Sequence, residues 1–364
     1  MTTATRELSE LCGALLVVGF PGATLDAETA RALAERRRAG VILFRRNTPS
    51  VEAVHALCGD IVRASTDPLG PFVAVDQEGG RVTRVPPPAM VLPPMRVLGD
   101  IDRPALTHRA ASACGRELAA MGFNVDFAPV LDVDSNPRNP VIGDRAFGRD
   151  PERVAAHGVA FAEGLQGAGV LACGKHFPGH GDTDTDSHLE LPRVRHPRDR
   201  LEAVELLSFR RAAGAVSSLM TAHVIYDGLH PGVPATHSRA IVTELLRGSI
   251  GYDGLVFSDD LEMRAVADHA PVEASAVAAI DAGCDVLLVC KEADLAERAH
   301  AALVRQAEQD RAFRARCEEA AGRSRRARSR FPARPAASTD ALFAAIEQSG
   351  AAEVLAEIRE LTER

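Results

Sequence analysis

The stretch Lys175-His176-Phe177-Pro178-Gly179-His180-Gly181-Asp182-Thr183-Asp184-Thr185-Asp186-Ser187-His188 gathers three histidines, three aspartates and a lysine directly after the apolar residues 170–173. A strand feeding such a polar loop puts chemistry at the rim of a β-scaffold, because strands aim side chains and the loops after them carry reactive groups. His176 and His180 have the four-residue spacing of a helical zinc pair, with His188 as a third candidate ligand. Pro178, Gly179 and Gly181 interrupt that interval, so the one-face helix that such a pair needs is not expected, and neither is a metal. Asp186 and His188 offer a different chemistry. Side chains two apart in an extended segment point the same way, so the carboxylate can orient the imidazole and stabilise its charged form, which makes a proton-transfer pair. The alternative is a loop merely ordered by hydrogen bonds among its Asp and Ser side chains, and residue types alone leave both open.

Elements able to hold this loop recur along the chain. Apolar, β-branched runs at 15–18, 41–44, 72–75, 125–127, 170–173, 217–220, 255–257 and 286–289 alternate with amphipathic segments, the pattern of parallel strands joined by crossover helices. Ser50, Asp150-Pro151 and Ser238 read as helix starts, and Gly40 and Gly122 as helix ends. The expected fold is α/β, a (β/α)₈ TIM-type barrel with a C-terminal helical extension. Such barrels need roughly 250 residues, so the expected division is a catalytic barrel over 1–330 and a helical tail over 331–364. The Pro-rich residues 86–94 are expected to cover the barrel mouth, and the arginine-rich end of a helical stretch over 293–330 to be solvated.

If the barrel closes, polar residues just after each strand converge at one face. Those residues are Asp76, Glu78, Arg81 and Arg84 after the third strand, Asp132, Asp144 and Arg145 after the fourth, Lys175 and His176 after the fifth, His223 after the sixth, and Asp259 and Asp260 after the seventh. Ordinary structural roles compete for several of them: Asp132 as a turn former, Asp260 as a helix cap, Glu78 as the ion partner of Arg81.

Lys175-His176-Phe177-Pro178-Gly179-His180-Gly181 followed by Asp186-Ser187-His188 resembles the signature of glycoside hydrolase family 3, specifically its single-domain bacterial β-N-acetylglucosaminidases. The resemblance extends from Gly40-Val41-Ile42-Leu43-Phe44 to Ala282-Gly283-Cys284-Asp285-Val286-Leu287-Leu288. It implies that Asp259, in Val256-Phe257-Ser258-Asp259-Asp260-Leu261, is a catalytic nucleophile, that His188 is the acid/base and that Asp186 orients it. Asp76, Arg84, Arg145, Lys175 and His176 then match sugar-holding positions, and His223 falls in a segment like the family's sixth-strand end. The implied activity is retaining, exo-acting removal of N-acetylglucosamine, without cofactor, from a peptidoglycan-derived muropeptide or disaccharide. A histidine that has given up its proton is neutral and repels an anionic acceptor less than a carboxylate would, so phosphorolysis is the alternative reaction. A β-glucosidase and a silent sugar-binding barrel are further alternatives.

Composition narrows the partners. A net charge of -8 gives no basic face for nucleic acid. No run is apolar enough to span a bilayer and residues 1–12 lack a signal region, so a cytosolic protein without membrane contact is expected, as monomer or weak homodimer. The seven scattered cysteines read as buried thiols. With no Trp and two Tyr, the large aromatic platforms that grip long polysaccharides are missing, which favours one small sugar in a pocket.

Overall fold

The computed structural model describes residues 3–185, 191–335 and 337–363. Eight parallel strands close a barrel in sequence order: β1 Leu16–Val18, β2 Gly40–Leu43, β3 Phe72–Val75, β4 Val125–Asp126, β5 Leu171–Phe177, β6 Ser218–Thr221, β7 Leu255–Asp260 and β8 Val286–Val289. The last strand pairs with the first, Leu16 opposite Leu287. All eight apolar runs thus form the barrel expected from them. Each strand is buried on both faces, which is why these segments read as continuous apolar runs. The interior packs Val17, Ile42, Phe72, Phe127, Met220, Phe257 and Leu288, with the Phe127 and Phe257 rings edge to face at 5.1 Å.

Helix starts follow the caps anticipated. Ser50 accepts from the Ala53 N–H, Asp150 from the Glu152 N–H ahead of Pro151, and Ser238 from the Ile241 N–H. Gly122 ends the helix Pro104–Met121 at φ 105°. Gly40 does not end a helix. It opens β2, where a Cβ would lie 2.2 Å from the Phe72 carbonyl oxygen, so glycine is required by strand approach rather than by turning. No helix among the described residues is long and apolar enough to cross a membrane.

The helical stretch expected after β8 is present, and two expectations about the periphery are corrected. The helical region after β8 is two helices, Ala293–Gln309 and Arg311–Arg330, because Asp310 caps the second through the Ala312 and Phe313 N–H groups. The second helix runs beneath the barrel, so Arg316, Arg323 and Arg328 turn inward, while Arg325, Arg326 and Arg330 are exposed as expected. Arg316 and Arg323 reach Asp285, Arg328 is 2% exposed and pairs with Asp67 at 2.7 Å, and Phe331 closes the floor of the barrel interior. Residues 86–94 do not cover the mouth. Ala89, Met90 and Leu92 are buried, and Leu92 accepts from the Gly80 N–H, so the segment buttresses the turn after β3.

Two buried carboxyls make the floor and the β3–β4 seam testable. Asp285 accepts from Arg247 at 2.6 Å, Arg316 at 2.7 Å and the Val256 N–H at 3.0 Å, with no exposure of its own. Removing one member of such a group leaves its partners uncompensated. Asp285→Asn should lower unfolding stability by about 3 kcal/mol, read from denaturant midpoints. Asp126, fully buried, accepts from the Gln77 N–H at 2.9 Å. Burial pushes its carboxyl up to about 8, although that N–H and Lys175 oppose the shift. A raised carboxyl favours folding below its unfolded value and loses that contribution as pH climbs through the folded value. Asp126→Asn, which cannot ionise, should therefore gain thermal stability over the parent between about pH 4 and 8, with a constant advantage above. A difference independent of pH would show that Asp126 does not titrate there.

Candidate active site

Two of the strands extend into the polar segments. β5 continues through Lys175, His176 and Phe177, and β7 through Ser258, Asp259 and Asp260, each with a shift of register against its neighbour. Groups expected on loops are therefore carried on strand ends, where irregular pairing re-aims side chains. The Lys175-His176 peptide is cis, and both side chains line the mouth.

The mouth holds a cavity of about 190 Å³ lined by Asp76, Glu78, Arg84, Arg145, Lys175, His176, His180, Asp259 and Asp260, with Phe44, Phe127, Met220 and Leu288 as its apolar wall. Drug-sized ligand pockets run from roughly 300 Å³ upward, so this one suits a single sugar-sized ring. Six of the anticipated residues, Asp76, Arg84, Arg145, Lys175, His176 and Asp259, meet here. Asp186 and His188 lie outside the described residues.

One side is an ion network. Lys175 Nζ lies 2.7 Å from Asp76 and 2.6 Å from Glu78, while Arg145 clasps Glu78 with two bonds of 2.8 Å. Arg84 stands 4.0 Å from Asp76. Burial disfavours the charges of Glu78, Arg145 and Lys175, but their partners outweigh it. Arg145 and Lys175 hold Glu78 well below the usual carboxylate range, and Asp76 and Glu78 hold Lys175 above the usual amine range. Glu78 thus pairs with Arg145 and Lys175 and not with Arg81, which reaches the Val141 carbonyl. It is a site residue that sequence reasoning set aside. The available signal was the spacing 76/78, which in an extended segment points both carboxylates the same way.

Asp132 was the other omission. Its carboxylate accepts from His176 Nδ1 at 2.7 Å, from the His176 N–H at 3.1 Å and from the His180 N–H at 2.7 Å. Burial opposes its ionisation, yet His176 and these donors hold the carboxyl below its ordinary value. It therefore fixes the His176 tautomer and the turn after β5. Among the described residues, no three His, Cys, Asp or Glu side chains converge as a metal site. The stem toward residue 185 is tied down as well. Asn139 donates to the His180 carbonyl at 2.9 Å, Asn136 to Asp184 at 2.7 Å and the Tyr226 hydroxyl to the Gly179 carbonyl at 2.8 Å.

Opposite the ion network, Asp259 accepts from the Asp260 N–H at 2.8 Å. Asp260 accepts from the Glu262 and Cys290 N–H groups, closing a tight turn, and burial together with Glu262 pushes its carboxyl up to about 7. His223 does not face the cavity. It has no exposure, and its ring nitrogens meet Thr236 at 2.8 Å and the Asp260 carbonyl at 3.0 Å. Burial lowers its pKa, so the neutral ring donates to that carbonyl and accepts from the Thr236 hydroxyl. The expectation that it touches sugar is corrected: it supports the backbone beneath Asp259.

The profile of the glycosyl hydrolase family 3 N terminal domain matches residues 7–326. A beta-hexosaminidase of Alkalilimnicola ehrlichii is 45% identical over 282 residues, 76% of this chain and 80% of that protein. One from Chromobacterium violaceum is 42% identical over 316 residues, 85% and 86% of the two chains. Among solved structures, NagZ from Neisseria gonorrhoeae in complex with N-trifluoroacetyl-D-glucosamine superposes with a TM-score of 0.80 at 32% identity, over 96% of this chain and 98% of that one. A family 3 β-N-acetylglucosaminidase from Paenibacillus gives a TM-score of 0.86 at 36% identity, over 94% and 68%. With likeness of this extent around a mouth of this construction, the chain belongs to glycosyl hydrolase family 3, as a β-N-acetylhexosaminidase.

Proposed function

We propose that the enzyme is a retaining exo-β-N-acetylglucosaminidase that works through a covalent glycosyl-enzyme. The observation that carries this reading is Asp259, held on a strand end at the wall of a one-sugar cavity whose other wall is the Asp76–Lys175–Glu78–Arg145 network. Asp76, with Arg84, Lys175 and His176, takes the sugar hydroxyls remote from the reacting carbon. A buried, charged rim of this kind rejects analogues lacking those hydroxyls, because its own groups would be left unpaired.

Asp259 attacks the anomeric carbon as the bond to the aglycone oxygen breaks, and His188 gives that oxygen its proton. His188, oriented by Asp186, then takes a proton from water as the water displaces the Asp259 carboxylate, so the sugar leaves with retained configuration. The natural substrate in this reading is a small peptidoglycan-derived disaccharide or muropeptide handled in the cytosol during cell-wall recycling. The small cavity supports it, as does the N-trifluoroacetyl-D-glucosamine bound by the neisserial relative. The barrel over 1–330 carries the chemistry and the tail over 331–364 none.

The test is release of 4-nitrophenol from its N-acetyl-β-D-glucosaminide with and without inorganic phosphate, with the sugar product identified. Free N-acetylglucosamine of retained configuration at a phosphate-independent rate is expected; a sugar 1-phosphate would make the enzyme a phosphorylase, and an inverted product would remove the covalent step. Variants separate the two roles. Asp259→Ala should lower kcat by about 10³-fold or more on every substrate. His188→Ala should cost about 10²- to 10⁴-fold on a disaccharide, whose leaving group needs a proton. The nitrophenyl glycoside needs none, so its first step should survive and show a burst. Equal losses in the first step on both substrates, read from kcat/KM and the burst, would take the acid role from His188.

A further inference from the structure

The C-terminal helices Thr339–Glu347 and Ala351–Thr362 lie far along the chain from the active site, yet a continuous set of buried hydrogen bonds links them to it. Between the two helices, Ser349, 1% exposed, donates from its hydroxyl to Glu117 Oε1 at 2.7 Å. The Ser349 carbonyl accepts from Arg116 Nε at 2.9 Å. Glu117, 2% exposed on the helix Pro104–Met121, uses its other oxygen to accept from the Met90 N–H at 2.5 Å. The Met90 carbonyl in turn accepts from the Gln77 side chain at 3.5 Å. Gln77 Oε1 takes the Arg84 N–H at 2.9 Å and the Val85 N–H at 3.1 Å, and Gln77 sits between Asp76 and Glu78.

Every atom in this chain is a group that burial obliges to find a partner. Met90 is the junction: its N–H is held from the tail side and its carbonyl from the site side. A shift of Glu117 is therefore transmitted to Gln77, whose side chain bridges the loop from Asp76 to Arg84. The tail helices also bury Leu342, Val354 and Ile358 against the barrel's helices, which fixes Ser349 firmly enough to bear on Glu117.

We propose that the C-terminal helical pair is a brace for the sugar-holding loop, with Ser349 and Glu117 as positioning residues for Asp76 and Arg84. This rests on the reading of Asp76 and Arg84 as sugar-holding groups. The brace sets ground-state binding and leaves the bond-breaking step alone, because Asp259 is carried by β7 across the barrel from this chain of bonds. Substitutions along a coupled network that touch no ligand shift binding by modest factors.

Steady-state kinetics on the nitrophenyl glycoside and the inhibition constant of free N-acetylglucosamine, measured on the full chain, test it. Glu117→Ala should raise both KM and the inhibition constant about 3- to 10-fold, with kcat within about twofold. Ser349→Ala, a milder change that keeps the fold, should move them the same way by less. Glu117→Gln should restore them, since its oxygen can accept from Met90 while its amide donates to the Ser349 hydroxyl. Amide exchange over 77–92 should quicken in Glu117→Ala and Ser349→Ala, with the strands of the barrel unchanged. Asp76→Ala is the reference. If it raises KM while Glu117→Ala and Ser349→Ala do not, the brace is overturned. If it leaves KM unchanged, the sugar-holding reading of Asp76 fails instead, and unaltered exchange over 77–92 would then overturn the brace on its own. A loss confined to kcat and to melting temperature would equally overturn it, as the mark of a tail that only stabilises the fold.

Discussion

Lys175 is the constraint on which the mouth of this barrel depends. An ammonium group 2% exposed at a strand end would cost several kcal/mol if it stood alone. Asp76 from the end of β3 and Glu78 two residues on both close around it. Glu78 then brings in Arg145, which belongs to the segment after β4. Each ion is tolerable only because the others are present, so three neighbouring strand ends must keep one geometry. A sugar that enters meets donors and acceptors already oriented, and oriented dipoles in a dry pocket are what favours a charged transition state over the bound substrate.

The opposite wall is organised by backbone rather than by charge. Asp259 and Asp260 belong to β7, and the turn after them is held by the Glu262 and Cys290 N–H groups and by the neutral ring of His223. The neutrality of that ring matters. A cation there would add charge beneath Asp259, whereas a neutral donor to the Asp260 carbonyl fixes position without adding any.

The sequence displayed the fold more fully than the site. Eight buried parallel strands make eight apolar runs, and the caps at Ser50, Asp150, Ser238 and Gly122 are local signals that need no tertiary knowledge. Gly40 misled because a glycine demanded by strand approach looks the same in sequence as one demanded by a helix end. Arg323 and Arg328 of the last barrel helix misled for a related reason: charge reads as solvent exposure until the helix is known to lie under a floor that holds Asp285 and Asp67. At the site, six of the anticipated side chains converge, since strand ends of a barrel must share a face. Glu78 was signalled only by its spacing from Asp76, and its partners, like those of Asp132 and the placement of His223, were not readable, because each depends on which oxygen meets which nitrogen across strands far apart in sequence. A one-dimensional pattern does not contain that pairing.

The two ends of the barrel solve one electrostatic problem in opposite ways. Between them lies an interior of aliphatic and aromatic side chains, through which neither end can relieve the other's charges. At the floor, Asp285 is surrounded by Arg247, Arg316 and Arg323 and has no exposure of its own. At the mouth, Asp76, Arg84 and Asp259 are paired or oriented yet still line open space. Completing the partners produces stability, whereas in the function proposed the last hydrogen bonds of Asp76 and Arg84 are completed by a sugar. The brace from Ser349 through Glu117 to Met90 belongs with the first solution but acts on the second. It satisfies its own buried groups fully, and so can hold the loop carrying Asp76 and Arg84 in place while those two side chains stay incompletely bonded.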